Sequence, residues 1–287
     1  MSGRRAPTLT AALAGAGLLT WASTAYAQFT FLSQNSLHLG WGQKNYDYLR
    51  ELFANFDVIL VQELMPKYAT INDPANPNKA KNAKNVYVPL QSEALGPRIY
   101  RERYGFFVSD AVEIDGKPNQ QVVQHPNNLK VRFSRPPAGI LVRKNSNAPW
   151  TWLVNYHAIY GRHIGLRRGE AEAMAEVYTY FLGQRDSQGN THNRVLMCGD
   201  WNLPATDQAY GPLLNVVNRI EPDEPSSLTP AGLPSSAYDH CAWNNNNLAV
   251  NLGLCRPDNA GCSSTQTSFP TFRQTVSDHL GITGVIQ

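Results

Sequence analysis

The chain has 287 residues, 42% of them hydrophobic and 16% charged; this excludes a disordered or coiled-coil protein and leaves room for one large α/β domain or two small ones. Its 21 glycines and 19 prolines follow no period, so a collagen-like chain is excluded and many loops are expected. A formal net charge of +3 is too small to mark the whole surface as anion-binding, so affinity for a polyanion would need a local basic face.

The N-terminus reads as an export signal. Arg4 and Arg5 precede a small, apolar run from Leu9 to Ala22, and Ala25-Tyr26-Ala27 has the small-x-small cleavage pattern. The run is too short and too rich in Gly, Ala and Thr for a membrane anchor. Cleavage after Ala27 would leave 28–287 as one exported domain, periplasmic or extracellular, with two positive charges fewer. No membrane contact is expected, and a monomer is.

Phe29–Leu37 and Asp57–Leu64 read as buried strands, and Tyr46, Leu49, Leu52 and Phe53 recur between them at helical spacing. Met65–Asn85 is polar and dotted with Pro, Asn and Lys, the composition of a long surface loop. Strands are expected again at Val86–Val88, Tyr104–Ile114, Ala138–Arg143 and Trp152–Ile159. Ala171, Met174, Tyr178 and Phe181 make the apolar stripe of a core-facing helix over Arg168–Gln184. A strand at Arg194–Cys198, a short helix at Gln208–Val217, a Pro/Ser-rich loop at Glu221–Ser236, and strands at Ala237–Trp243 and Leu280–Ile286 complete the chain. Many strands with few helices suggest two packed sheets flanked by helices.

All four cysteines lie in the C-terminal part of an exported chain, where disulfides are permitted. Cys255 and Cys262 bracket a turn-rich segment that closes easily, which favours that pair, with Cys198 and Cys241 as the second. No C-x₂-C spacing suggests zinc.

Acids, amides and histidines recur at strand ends: Asn35, Glu63, His157, Asp200, Asn202, Asp239, Asp278 and His279. Any one alone fits a cap or a turn. Gathered on one rim, carboxylates and Asn oxygens suit a hard cation, and two histidines move protons near neutral pH. That combination suits phosphodiester hydrolysis.

Gln34-Asn35, Val61-Gln62-Glu63, His157, Gly199-Asp200-Trp201-Asn202, Tyr238-Asp239 and Ser277-Asp278-His279, in this order, resemble the motifs of the endonuclease/exonuclease/phosphatase superfamily. Ser92-Glu93-Ala94-Leu95-Gly96 with Tyr100-Arg101-Glu102-Arg103-Tyr104, and Phe133-Ser134-Arg135-Pro136-Pro137-Ala138, are similar to its secreted deoxyribonuclease I branch. The resemblance spans nearly all of 29–287. It implies a four-layered α/β sandwich, a deoxyribonuclease I-like hydrolase, a divalent metal (Mg²⁺ ahead of Ca²⁺ or Mn²⁺) and a DNA substrate, with RNA left open. His157 would be oriented by Glu102 and His279 by Asp239. Glu63 and Asn35 would hold the metal with Asp200 and Asp278, Asn202 would act beside them, and Arg135 and Tyr100 would contact substrate.

The chain also departs from that family. Leu64-Met65-Pro66 stands where the family has an arginine for the minor groove, and Leu37 where a basic residue is common. Lys67, Lys79, Lys81 and Lys84 offer a less specific phosphate-binding surface instead. Asp115–Lys130 lacks the family's small disulfide loop, so no structural calcium is expected there. A sphingomyelinase-like phosphodiesterase would need an exposed apolar hairpin, and none is evident. A non-catalytic binding subunit would have lost a histidine or an acid, and none is lost.

Overall fold

The computed structural model describes residues 28–41, 43–65, 74–81, 83–97, 100–117, 120–127, 133–259, 262 and 266–287; the expected signal segment and Lys67 lie outside them. Strand β1 (Phe29–Leu39) pairs in parallel with β2 (Val58–Leu64) across helix α1 (Tyr46–Phe53). Strand β2 is buried along its whole length. Its alternate residues Val58 and Leu60 pack into the middle of the molecule, while Ile59 and Val61 pack under helices. A strand covered on both faces needs an unbroken apolar run, and VILV supplies it.

Strands β3 (Tyr87–Gln91), β4 (Arg103–Ser109), β12 (Val250–Cys255) and β13 (Gly281–Ile286) complete a six-stranded sheet in the order β12-β13-β1-β2-β4-β3. The strands of the second sheet are β5 (Glu113–Ile114), β6 (Val122–Gln124), β7 (Ala138–Arg143), β8 (Thr151–His157), β9 (Val195–Asp200), β10 (Arg219–Glu221) and β11 (Asp239–Trp243). They lie in the order β10-β11-β9-β8-β7-β5, with β6 also on β7. Each sheet has one parallel pair, β1–β2 and β8–β9, among antiparallel neighbours. Helices α2 (Ile164–Glu172), α3 (Met174–Gly183) and α4 (Gly211–Leu214) cover the second sheet, and α1 and α5 (Phe269–Thr275) the first. The result is helices, sheet, sheet, helices, the four layers expected.

Several boundaries differ from expectation. The single strand expected over Tyr104–Ile114 divides at a turn at Asp110-Ala111, β4 lying in one sheet and β5 in the other. The expected helix Arg168–Gln184 starts earlier and parts at Ala173, whose N–H bonds to the Glu170 carbonyl in a tightened turn. Cys198 and Cys241 face each other on neighbouring strands and form a disulfide. The expected Cys255–Cys262 bond is absent. Both are buried free thiols. Cys262 is held by its backbone, its N–H on Asn259 and its carbonyl on the Asn55 amide.

At one end a polar clamp joins the sheets. Gln62 Nε2 donates to Asn155 Oδ1 at 2.6 Å and to Ser33 Oγ at 3.1 Å, and Asn155 Nδ2 donates back to the Val61 carbonyl. These groups are buried and hold both sheets at the level where the strands end.

Candidate active site

Beyond that clamp the strand ends open into a cleft of about 840 Å³ lined by residues of both sheets. Five non-glycine residues among those described have left-handed backbone, and four of them line it: Leu37 (φ 43°), His38 (φ 54°), Glu63 (φ 60°) and Asn202 (φ 52°). Such backbone costs on the order of 1 kcal/mol or more per residue. It accompanies register breaks in β1 between Asn35 and Leu39 and in β2 between Val61 and Leu64, which re-aim side chains at the rim. Gly199 (φ 150°) makes the corresponding adjustment before Asp200, because a Cβ there would lie 1.7 Å from the Tyr156 carbonyl oxygen.

The floor is a carboxylate pair joined by an amide. Asn35 Nδ2 donates to Glu63 Oε1 and to Asp200 Oδ2, both at 3.0 Å. Burial would raise the Glu63 carboxyl, but the His157 and His38 rings, with the Asn35 amide and the His38 N–H, bring it down to about 2. Asp200 is pushed up by burial and by Asp239, against the pull of His279 and His157.

Two histidines stand over this pair. His157 Nδ1 lies 2.6 Å from Glu102 Oε1, and His279 Nδ1 lies 2.7 Å from Asp239 Oδ2. Their Nε2 atoms converge on one oxygen, Asp200 Oδ2, at 3.7 and 3.5 Å. Each couple bridges the sandwich: His157 ends β8 and Glu102 precedes β4, while His279 precedes β13 and Asp239 begins β11.

Other expected site residues sit differently. Arg135 is buried; its Nε donates to the His157 carbonyl, its Nη2 to the Ala158 carbonyl, and it pairs with Glu102 at 3.3 Å. That makes it a brace for His157 as much as a phosphate contact. Asn35 Oδ1 accepts the Leu37 N–H, so its amide presents nitrogen to the carboxylates and orients them. Asn202 Nδ2 donates to the Ala158 carbonyl. Asp278 lines the cleft and pairs with Arg273 at 3.7 Å. Met65, in the place of the missing groove arginine, is buried and points no polar group at the cleft.

Three further residues carry weight that their sequence context did not announce. Buried Glu170 accepts from Ser134 N, Tyr156 Oη and Ile159 N, tying the Arg135 segment to the end of β8. His38 places its N–H 2.8 Å and its Nε2 3.4 Å from Glu63 Oε2. Arg273 adds a cation to the wall beside Asp278. Only the fold brings His38 and Arg273 to the cleft and sets Glu170 behind it, because each lies outside the motifs.

The donors fit a hard divalent cation. Glu63 and Asp200 present adjacent carboxylate oxygens, Asp200, Asp239 and His279 each present an atom within 4.8 Å of the others, and the buried Asp278 Oδ1 has no hydrogen-bond partner among the described residues.

No protein-family model matches the chain. It is 26% identical over 216 residues, 72% of its length, to a protein named deoxyribonuclease from Thioalkalivibrio sp. (strain K90mix), and it spans about half (55%) of that relative. Among solved structures, the human Nocturnin catalytic domain with bound sulfate superposes with a TM-score of 0.60 at 11% identity, over 91% of this chain and 94% of that one. ANGEL2, a 2′,3′-cyclic phosphatase in complex with adenosine-2′,3′-vanadate, gives 0.59 at 13% identity, over 91% and 96%. Truncated Caenorhabditis elegans TDP2 gives 0.53 at 14% identity, over 90% and 97%. With two mixed sheets, flanking helices and these neighbours, the chain has the fold of the endonuclease/exonuclease/phosphatase superfamily.

Proposed function

We propose that the protein is an exported, divalent-metal-dependent endonuclease that hydrolyses phosphodiester bonds of DNA. The observation that carries this is the convergence of two carboxylate-oriented histidines on Asp200 beside Glu63. Each carboxylate fixes the Nδ1 proton of its ring and favours the imidazolium, leaving Nε2 free to face the scissile phosphate. One Nε2 takes the proton of the attacking water, and the other returns a proton to the departing 3′ oxygen. Glu63 and Asp200 would hold the cation, Mg²⁺ by the hardness of the oxygen donors, and a bound cation neutralises charge developing on the phosphorus oxygens. Arg135 keeps Glu102 and the end of β8 in place. The similarity to a protein named deoxyribonuclease supports DNA as the substrate class. The 1–27 segment supports export.

Purified mature protein incubated with supercoiled plasmid and Mg²⁺ should nick it, and EDTA should abolish nicking. Metal-replete protein that leaves DNA intact would overturn the proposal. Substituting Glu63→Gln should move the metal requirement to higher concentration, because it removes one negative charge from the cation's ligands.

A further inference from the structure

Three aromatic rings gather on the lip of the cleft next to Glu63. The His38 ring lies 5.5 Å from the Trp41 ring and 6.4 Å from the Tyr100 ring, and Trp41 and Tyr100 are 6.5 Å apart. His38 lies in the register break of β1, Trp41 just after that strand, and Tyr100 in the connection before β4. Trp41 is 41% and Tyr100 56% exposed, and the His38 side chain is 42% exposed. A single exposed aromatic is ordinary, whereas three converging on a polar cleft form an uncovered π surface. The backbone at Leu37 and His38, where this lip begins, is left-handed.

The position defines what such a surface meets. His38 is within 3.4 Å of Glu63, so a group lying on the rings is next to the atoms at which the phosphodiester would be cut. A duplex minor groove is read by basic side chains inserted into it, and at the place where such an arginine is expected Met65 is buried. Broad rings instead match the face of a base that is not stacked in a helix. Tyr160, 75% exposed, lines the same cleft. We infer that the His38–Trp41–Tyr100 cluster is a stacking platform for the base flanking the scissile phosphate, and that the protein acts preferentially on single-stranded or locally unpaired nucleic acid. The inference deepens the nuclease function proposed above and rests on it. A lipid surface is the competing occupant of exposed aromatics, but His38 is tied to the floor of the polar cleft by its contacts with Glu63.

The test measures binding apart from turnover. In EDTA, the mature protein is titrated into labelled oligo(dT), into a strand of the same length and charge in which every base is replaced by an abasic unit, and into a duplex. Stacking of one base predicts roughly five-fold or greater preference for oligo(dT) over the abasic strand. Trp41→Ala and Tyr100→Ala should each reduce that preference, and Trp41→Phe should restore part of it. Equal affinity for the two strands, tighter binding of duplex, no binding of either strand, or a Trp41-dependent affinity for phosphatidylcholine vesicles that exceeds that for oligo(dT) would overturn the platform. Mg²⁺-dependent cleavage assayed in parallel separates the two ideas. Cleavage without a base preference would leave the nuclease and remove the platform, whereas a base preference without cleavage of any strand would do the reverse.

Discussion

The two histidine–carboxylate couples are the same device in different surroundings. Both use Nδ1 for the carboxylate and Nε2 for Asp200, and both bridge the two sheets. They differ in what stands behind the carboxylate. Glu102 is shared with the Arg135 guanidinium, whereas around His279 the charged neighbours Asp239, Asp200 and Asp278 are all acids that favour its protonation. Burial pulls the proton affinity of both rings down. At His157 the guanidinium pulls the same way and Glu102 lifts it to only a net increase, while at His279 the acids push it well above the ordinary histidine range. Neighbours outside the motif therefore set different fields at the two rings. An acid–base pair needs that kind of asymmetry.

The strongest way to break the comparison is to remove each ring. His157→Ala and His279→Ala should each lower plasmid-nicking turnover by ~10²-fold or more, since each removes one proton transfer, with far-ultraviolet circular dichroism unchanged. Near-normal turnover in either variant would take that couple out of the mechanism.

Next in size is Arg135→Ala, which acts on one couple alone. Truncation leaves the buried Glu102 carboxylate without its guanidinium partner, and losing one partner of a buried pair costs about 3 kcal/mol or more of stability. The sign of the pH effect is fixed. Arg135 lowers the proton affinity of His157, so its removal raises that affinity. The limb of the kcat/KM pH profile that belongs to His157 should then move to higher pH, and the limb of His279 should stay. A variant that changes KM for DNA with no movement of either limb would make Arg135 a substrate contact rather than a brace.

Much of the fold was legible because local physics determines it. The buried strands β2, β7 and β8 carry short unbroken apolar runs, and the motif residues Glu63, His157 and Asp200 sit at or near the ends of strands, where a sequence pattern can place them. What was not legible depends on long-range geometry. Trp41 becomes part of a cleft lip only because β1 breaks register after Asn35 and Tyr100 arrives from a distant connection. The turn at Asp110 that sends the chain to the other sheet follows from packing that no local periodicity encodes. The role of Arg135 followed family resemblance to phosphate, whereas the carbonyls of His157 and Ala158 claim two of its donors once β8 is in place. Loop length favours a bond between Cys255 and Cys262, but both are free thiols, and the disulfide joins Cys198 and Cys241.

The mildest perturbation sharpens the comparison at one remove from either ring. Glu170 lies on α2, touches neither histidine, and supports only the His157 side: its carboxylate accepts Ser134 N at 2.5 Å, Tyr156 Oη at 2.8 Å and Ile159 N at 2.8 Å. Ser134 precedes Arg135, Tyr156 precedes His157, and Ile159 follows Ala158, so one buried carboxylate fixes both segments that the Arg135 guanidinium joins. Glu170→Gln keeps the shape but replaces one acceptor oxygen with an NH₂ that cannot accept, leaving at least one buried donor unmet. The expected cost is about 1–3 kcal/mol of stability, read as a lower denaturation midpoint with an unchanged denaturant slope. Turnover should fall only a few-fold, through kcat rather than KM, because the His157–Glu102 bond survives with a looser support. The effect should be sub-additive with Arg135→Ala, since both variants loosen the same two segments, and additive with Asp239→Asn, which acts on the other couple. Full additivity with Arg135→Ala would mean that Glu170 serves the α2 packing alone and has no part in holding His157.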